Sequence, residues 1–312
     1  AIATLNYSPR QRKASMSDVN PLERRNVLLL MLGMDRSLAT LPVVAAAIEG
    51  VEHAVGAANA NLLIANLPRA DRVPDVLERK RIDGVILKGA LQGDLIGQAH
   101  PELLKRLNGL PAVWMLGRPA GCRGDVVQAN DLQIGQLAAE HLVSRGHHRL
   151  AFVSPKPTQT TLLRRQASFA FFAEHAGAKV TRYVGDEGVW TFPSPAVDHV
   201  ERVQDLIDRI LDERPRPTAI FAPDDSVGAM AARALIARGL QIGRDISLMS
   251  CNNEQPLLMG VHPKLTTIDI HARQIGCRAV DQLAWRLSHA APSYLDIGIE
   301  PELIEGDSVA SL

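Results

Sequence analysis

From Asn26 onward, short unbroken apolar runs alternate with stretches whose apolar residues recur at helical spacing, and this alternation constrains the fold more than any other feature. Val27-Leu28-Leu29-Leu30-Met31-Leu32 is a strand apolar on both faces, ending at Gly33. Such strands belong inside parallel sheets covered by helices, where both faces are out of water. After Pro42, the residues Val44, Ala47, Ile48, Val51 and Val55 form one helical stripe. Leu62–Ala65, Gly84–Leu87 and Ala112–Leu116 read as further strands, with a polar, helix-prone stretch from Val73 to Arg81. Ile134, Leu137, Ala138, His141 and Leu142 form another stripe, closed by Gly146 as a C-cap. The same grammar restarts at Leu150-Ala151-Phe152-Val153, followed by a helix over Leu162–His175 and a strand over Val180–Val184. Val200, Val203, Leu206, Ile207, Ile210 and Leu211 share a helix face; Ala219–Ala222 is a strand; Val227 to Leu235 is a helix ended by Gly239. A strand at Ile246–Met249 and a helix carrying Ile275, Ala279, Val280, Leu283 and Leu287 complete the pattern. Two α/β halves in one chain predict a ligand cleft between them, outside the carboxyl ends of the strands.

The length of 312 residues fits two domains. Lys and Arg total 34 against 34 Asp and Glu, which excludes a uniformly basic nucleic-acid-coating chain, so DNA contact would need a local patch. One such patch is Arg10, Arg12 and Lys13, with no acid before Asp18, Ser8 as an N-cap and Pro9 in a first helical turn; a solvated basic tail fits these residues equally. No apolar run approaches the ~18 residues of a membrane span, and Ala1 to Tyr7 do not form a secretory signal. Cys122, Cys251 and Cys277 are odd in number and widely spaced, which predicts reduced thiols and a cytoplasmic address. Catalytic motifs are lacking: there is no G-x-S-x-G, P-loop or H-E-x-x-H. His147 and His148 would point to opposite faces of a strand, and Asp224-Asp225 has no accompanying base or nucleophile. The expectation is a binding protein, not an enzyme, without cofactor or metal.

Several segments resemble the LacI/GalR family of bacterial transcriptional regulators. His141-Leu142-Val143-Ser144-Arg145-Gly146-His147-His148-Arg149-Leu150-Ala151-Phe152 is similar to that family's "HL…GH..IAF" crossover. Ile82-Asp83-Gly84-Val85-Ile86-Leu87 resembles its "vDGiil" strand, Asp245-Ile246-Ser247-Leu248 its "D-[IV]-S-[VL]", and Leu265-Thr266-Thr267-Ile268 its "LTTv" return segment. Leu5-Asn6-Tyr7-Ser8-Pro9 resembles the end of the helix-turn-helix headpiece, "LnY.P". The resemblance implies the periplasmic-binding-protein type I fold, an α/β fold with two doubly wound parallel-sheet subdomains joined by three crossovers. It divides the chain into the end of a headpiece and hinge (1–25), a first ligand-binding subdomain (26–145 plus 270–290) and a second (147–268 plus 295–312). The recognition helix of the headpiece is expected upstream of Ala1.

The resemblance also assigns candidate site residues. Arg165, in Arg165-Gln166-Ala167-Ser168-Phe169, matches the Arg of "R..GF", with Ser168 in place of Gly; its guanidinium suits vicinal hydroxyls or a carboxylate. Asp224 stands where Asn is usual, in Pro223-Asp224-Asp225-Ser226, with Asp225 expected to cap the next helix. Asn252 replaces the usual Asp in Ser250-Cys251-Asn252-Asn253 and keeps hydroxyl recognition while weakening that of cations. Of Asn130 and Asp131, one is expected to face the cleft and the other to cap a helix. Trp190, in the loop Gly185–Pro195, either stacks on a sugar ring or packs under its own loop. Arg36, Ser37, Lys88 and Arg118 follow strands and are positional candidates. In the hinge, Tyr7 and Pro9 lead into a short helix, Met16 stands at the apolar wedge position for the minor groove, and Arg10, Arg12 and Lys13 reach phosphates.

What this resemblance implies is an effector-responsive, DNA-binding regulator, a repressor, that binds a sugar or sugar derivative and acts as a homodimer on operator DNA, away from any membrane. The helices Val43–Val55 and Gln274–Leu287 would contribute to the two-fold interface. A solute-binding receptor of the same fold is the alternative. The missing signal peptide, the Leu5–Pro9 match and the basic cluster weigh against it.

Overall fold

The computed structural model describes residues 20–34, 41–79, 81–186, 200–289 and 291–312. Its first half runs β1 (Asn26–Leu32), α1 (Pro42–Ala57), β2 (Asn61–Leu67), α2 (Asp75–Arg79), β3 (Gly84–Gly89), α3 (Leu95–Gln98), α4 (Pro101–Asn108), β4 (Ala112–Met115), β5 (Asp125–Ala129) and α5 (Asp131–Ser144). The second runs β6 (Arg149–Ser154), α6 (Thr160–His175), β7 (Lys179–Val184), α7 (Val200–Asp212), β8 (Ala219–Phe221), α8 (Asp225–Ala237), β9 (Ser247–Met249), α9 (Gln255–Leu258) and β10 (Thr267–Asp269). The chain then returns through α10 (Ala272–Ser288), β11 (Asp296–Ile299) and β12 (Glu302–Ile304).

The strands form a six-stranded sheet in the order β11-β5-β4-β3-β1-β2 and a four-stranded sheet in the order β7-β6-β8-β9, both parallel throughout. Alternation along β1 explains why the first sheet is covered twice. Leu29 packs with Ile86, Val113 and Val127 toward α1 and α10, whereas Leu28 and Leu30 pack with Val85, Leu87 and Trp114 toward α2, α3 and α4. The second sheet sets Ala151, Val153 and Ile220 against α7 and α8. Its other face carries Phe152 and Phe221, which meet Phe169 of α6 with ring centroids 4.9–6.4 Å apart. These rings share one core with Ile134, Ala138 and Leu142 of α5, so packing is continuous across the boundary between the subdomains.

The chain passes that boundary after α5, after β10 and after β11. The antiparallel pair β10–β12 lies at the passages, and bridges from Met249 to Thr266 and from Asn252 to Asp269 tie it to the end of the second sheet. One boundary differs from the sequence division. The segment from residue 295 was expected with the second subdomain, but β11 pairs with β5, Asp296 opposite Val126, and only β12 onward belongs with the second. The cause is nonlocal pairing: Asp125 opens β5 fully buried, accepts a bidentate bond from Arg286 of α10, a bond from Gln282, and the backbone N–H of Leu295 at 2.9 Å. That anchor draws the strand after α10 to the first sheet. The strand β5 itself is absent from the sequence reading.

The helices α1 and α10, expected to contribute to a two-fold interface, bury their small-residue faces against each other, with Gly50 and Gly276 at the crossing. No helix among the described residues is long and apolar enough to cross a membrane.

Candidate ligand-binding cleft

The carboxyl ends of both sheets meet around Arg165, which lies in α6 with 3% of its surface exposed. Its Nε donates to Asp131 Oδ1 at 3.0 Å, and one terminal nitrogen donates both to Asn252 Oδ1 at 2.9 Å and to the carbonyl of Pro223 at 2.6 Å. Asp131 opens α5, in the first subdomain, so the ion pair spans the boundary. Burial pushes the Asp131 carboxyl up, and the adjacent guanidinium opposes that shift. Three of the residues singled out in the sequence, Arg165, Asp131 and Asn252, are thus brought into one cluster.

The neighbouring aspartates divide their tasks in the reverse of the expected order. Asp224, not Asp225, caps α8, accepting the backbone N–H of Val227 at 2.8 Å, while its second oxygen lies 3.6 Å from the ammonium of Lys156. The strand ends one residue earlier than the sequence suggests, which puts Asp224 in the extended N-cap position. Asp225 is fully buried behind it and accepts from the hydroxyls of Ser250 and Thr267 and from the backbone N–H of Glu254. Burial pushes its carboxyl up to about 6. It fixes the 250–254 loop, where Asn252 adopts φ 109°, a left-handed-side conformation rare outside glycine.

Asn130 spends its side chain on capping α5, accepting the N–H of Gln133 at 3.2 Å, so of the pair it is Asp131 that turns to the cluster. Arg118 donates from its guanidinium to the carbonyl of Gly124, across the β4–β5 loop. Lys88 is buried at the end of β3, donates to the carbonyl of Gly89 at 2.9 Å, and burial lowers its ammonium to about 8. That bond turns Lys88 to its own strand end and not to the Arg165 cluster. Arg36, Ser37, Trp190 and the hinge residues Tyr7, Pro9, Arg10, Arg12, Lys13 and Met16 lie outside the described residues.

Sequence reasoning missed three cleft residues. Glu254 is buried, accepts from Asn252 Nδ2 at 3.0 Å and from the backbone N–H of Val43 at 3.0 Å, and burial pushes its carboxyl up to about 7. The signal was a carboxylate two residues past Asn252, just outside the motif. Thr160, opening α6, reaches across the boundary with its N–H and hydroxyl to the carbonyl of Leu91. Thr158, in the same β6–α6 loop, has a buried hydroxyl with no hydrogen-bond partner among the described residues. On the α1 side, a groove of about 720 Å³ lies between Pro42–Glu49, the 252–256 loop and the start of α10.

Chemically, the cluster presents a guanidinium, an amide and several carboxylates at the edges of two domains. Such a set recognises hydroxyl-rich molecules through directed donors and acceptors. No group of three His, Cys, Asp or Glu among the described residues is arranged to hold a metal ion.

The family model described as "Periplasmic binding protein-like domain" matches residues 139–309, more than half of the chain. The chain belongs to that family. Within the periplasmic-binding-protein-like family its full-length likeness is to LacI/GalR-type regulators. It is 28% identical to the HTH-type transcriptional repressor PurR of Mannheimia succiniciproducens, over the whole of this chain and 88% of that protein. It is 25% identical to the ribose operon repressor of Escherichia coli, over 99% of this chain and 88% of the repressor. A LacI family transcriptional regulator from Enterococcus faecium with bound ribose shares the fold at a TM-score of 0.72 and 20% identity, covering 92% of this chain and 99% of that one.

Proposed function

We propose that the protein is an effector-responsive transcriptional repressor of the LacI/GalR type that binds a sugar or sugar derivative between its two subdomains. The observation that carries this reading is the Arg165–Asp131–Asn252 cluster, because it joins the subdomains with the same groups that would bind hydroxyls. A ligand that exchanges bonds with Arg165 and Asn252 changes how the subdomains are held. It shifts their relative angle by its differential affinity for the two arrangements. The names of the repressor relatives and the ribose seen in one structural neighbour support this choice of ligand and target. Asp224, Asn252, Asp131 and Arg165 are the residues assigned to the ligand; Lys88, Trp190, Arg36 and Ser37 remain candidates on their sequence positions alone. Tyr7, Pro9, Arg10, Lys13 and Met16 are assigned to the DNA hinge, and the working form proposed with this reading is a cytoplasmic homodimer.

The experiment is to incubate the full-length product of the gene with fragmented genomic DNA, with and without D-ribose and a panel of other sugars. Recovery of a pseudo-palindromic site whose occupancy changes with one sugar is the expected result. Sugar binding without any selected DNA site would turn the reading to a solute receptor.

A further inference from the structure

The polar chain through the cleft continues past the residues that face it. Asn252, already bonded to Arg165, donates from Nδ2 to one oxygen of Glu254. The other oxygen accepts the backbone N–H of Val43, in the first turn of α1. Val43 belongs to the first subdomain and Glu254 to the second, so this bond also crosses the boundary. Helix α1 has no side-chain cap of its own and no acidic residue in its first turn. The first turn of a helix carries unpaired N–H groups and the positive end of the helix dipole, and a carboxylate satisfies both. Here the carboxylate comes from the other subdomain.

Helix α1 cannot adjust to a change at Val43 alone. A Cβ on Gly50 would lie 2.0 Å from the carbonyl oxygen of Arg273, and one on Gly276 1.9 Å from that of Ala47. Backbones in such contact move together. On the cleft side the geometry is equally fixed, because Asp225 holds the N–H of Glu254 at 2.6 Å and Asn252 is committed to its positive φ.

We propose that Glu254 couples the cleft to the α1–α10 pair: it links Asn252 and Arg165 to the N-terminus of α1, so the bonds these two residues make set how firmly the subdomains are held on that side. The proposal rests on the cleft reading above and adds to it the residue and the helix through which occupancy would be transmitted. Glu254 is a positioning residue in this role.

The charged groups around Glu254 are Asp224 and Asp225 from the α8 side, Lys156 paired to Asp224, and Arg165 of α6 beyond Asn252. Around the groove stand Glu49 of α1, Asp269, and His271 and Arg273 at the start of α10. Burial and the two aspartates push its carboxyl up to about 7, whereas the N–H of Val43 and the amide of Asn252 favour the ionised form. Protonating Glu254 therefore weakens its bond to Val43, and lowering the pH through that value loosens the contact.

The test is hydrogen exchange of the whole chain, resolved at the Val43 and Val44 amides, with Ile207 of α7 as an internal control. Glu254→Ala is expected to accelerate exchange at Val43 about tenfold, as for loss of a hydrogen bond to a charged group. Asn252→Ala, which does not touch Val43, should accelerate it severalfold, and the double variant should be no faster than Glu254→Ala alone. Protection at Val43, corrected for intrinsic exchange, should fall from about pH 8 to about pH 6 in the unmodified protein and stay flat in Glu254→Gln. Should Glu254→Ala fail to fold, Glu254→Gln and the pH series still decide. Unchanged exchange in both Glu254 variants, independent additive effects of Asn252→Ala, or a flat pH profile in the unmodified protein would each overturn the proposal. None of these readouts needs a sugar or an operator, so failure of the regulator reading and failure of the coupling are separable.

Discussion

Gly276 of α10 and Ala47 of α1 meet backbone to backbone, at a point where even a methyl group on Gly276 would lie 1.9 Å from the Ala47 carbonyl oxygen. Gly50 makes the reciprocal approach to Arg273, so the two longest helices of the first subdomain cross through their glycines. Both helices cover the same face of the six-stranded sheet, over Leu29, Ile86 and Val113. The crossing therefore fixes the layer from which the Val43 contact to the cleft is made.

Gly276→Ala should destabilise the protein by about 3 kcal/mol, the upper range for overpacking, because the atom it strikes belongs to backbone and cannot rotate away. Denaturant unfolding followed by far-UV circular dichroism measures it. An unchanged midpoint in the Gly276→Ala variant would mean that α1 and α10 are not held at this crossing.

Charge, not volume, decides the outcome at the Arg165–Asp131 pair. Asp131→Ala leaves a buried guanidinium with only Asn252 and the Pro223 carbonyl, and should cost about 3–5 kcal/mol. Replacing both partners, Asp131→Ala with Arg165→Met, should recover much of that loss, since no charge is then stranded. Thermal and chemical unfolding of the two single variants and the double variant give the cycle. Additive losses would show that the two side chains stabilise the fold independently.

Asp225 sets a pH dependence. Its carboxyl is pushed up from 3.8 to about 6 by burial, so the folded protein keeps a proton that the unfolded chain has already released. Across that window the unfolded state binds fewer protons, and stability falls as pH rises, by an amount on the order of 3 kcal/mol in total, then levels off. Asp225→Asn should abolish this part of the slope while retaining an acceptor for the N–H of Glu254. Stability curves from about pH 4 to about pH 7 for both proteins check it; identical slopes would remove Asp225 as their source.

The elements legible in the sequence are those whose burial is decided locally. The runs at Val27–Leu32 and Leu150–Val153 became β1 and β6, and the stripe at Ile134–Leu142 became α5, because period and capping reside in the same few residues. Strand β5 was hidden because it opens with an aspartate and carries Gln128 among its apolar residues. Its partners, Arg286 and β11, come from more than 150 residues away, as the Gln128–Asp296 bond, 168 residues apart, illustrates. The site divides along the same line. Arg165, Asp131 and Asn252 each stand in a local motif, whereas Glu254 acquires its role from Val43, 211 residues distant. Asp224 and Asp225 were exchanged because adjacent aspartates before a helix differ only in which one the strand leaves in the N-cap position.

Arg165 is also where the cleft can be tested as a binding site. Its buried guanidinium reaches three acceptors on separate elements, which a lysine ammonium on a flexible stem cannot reproduce. Asn252→Ala removes one of those acceptors and an amide facing the cleft, but leaves the ion pair in place. With any sugar that stabilises the protein in a thermal-shift screen, Arg165→Lys should weaken binding by about 1.5–3 kcal/mol, as for a lost charged hydrogen bond, and Asn252→Ala by about 0.5–1.5 kcal/mol. Calorimetry at matched pH, on variants first shown to be folded, separates lost affinity from lost protein. The order matters as much as the size. If Asn252→Ala costs more than Arg165→Lys, the amide and not the guanidinium is the principal contact, and the ligand sits nearer the Glu254 side of the cleft. If neither variant binds more weakly, the sugar occupies another part of the molecule, and the polar cluster serves only to join the two subdomains.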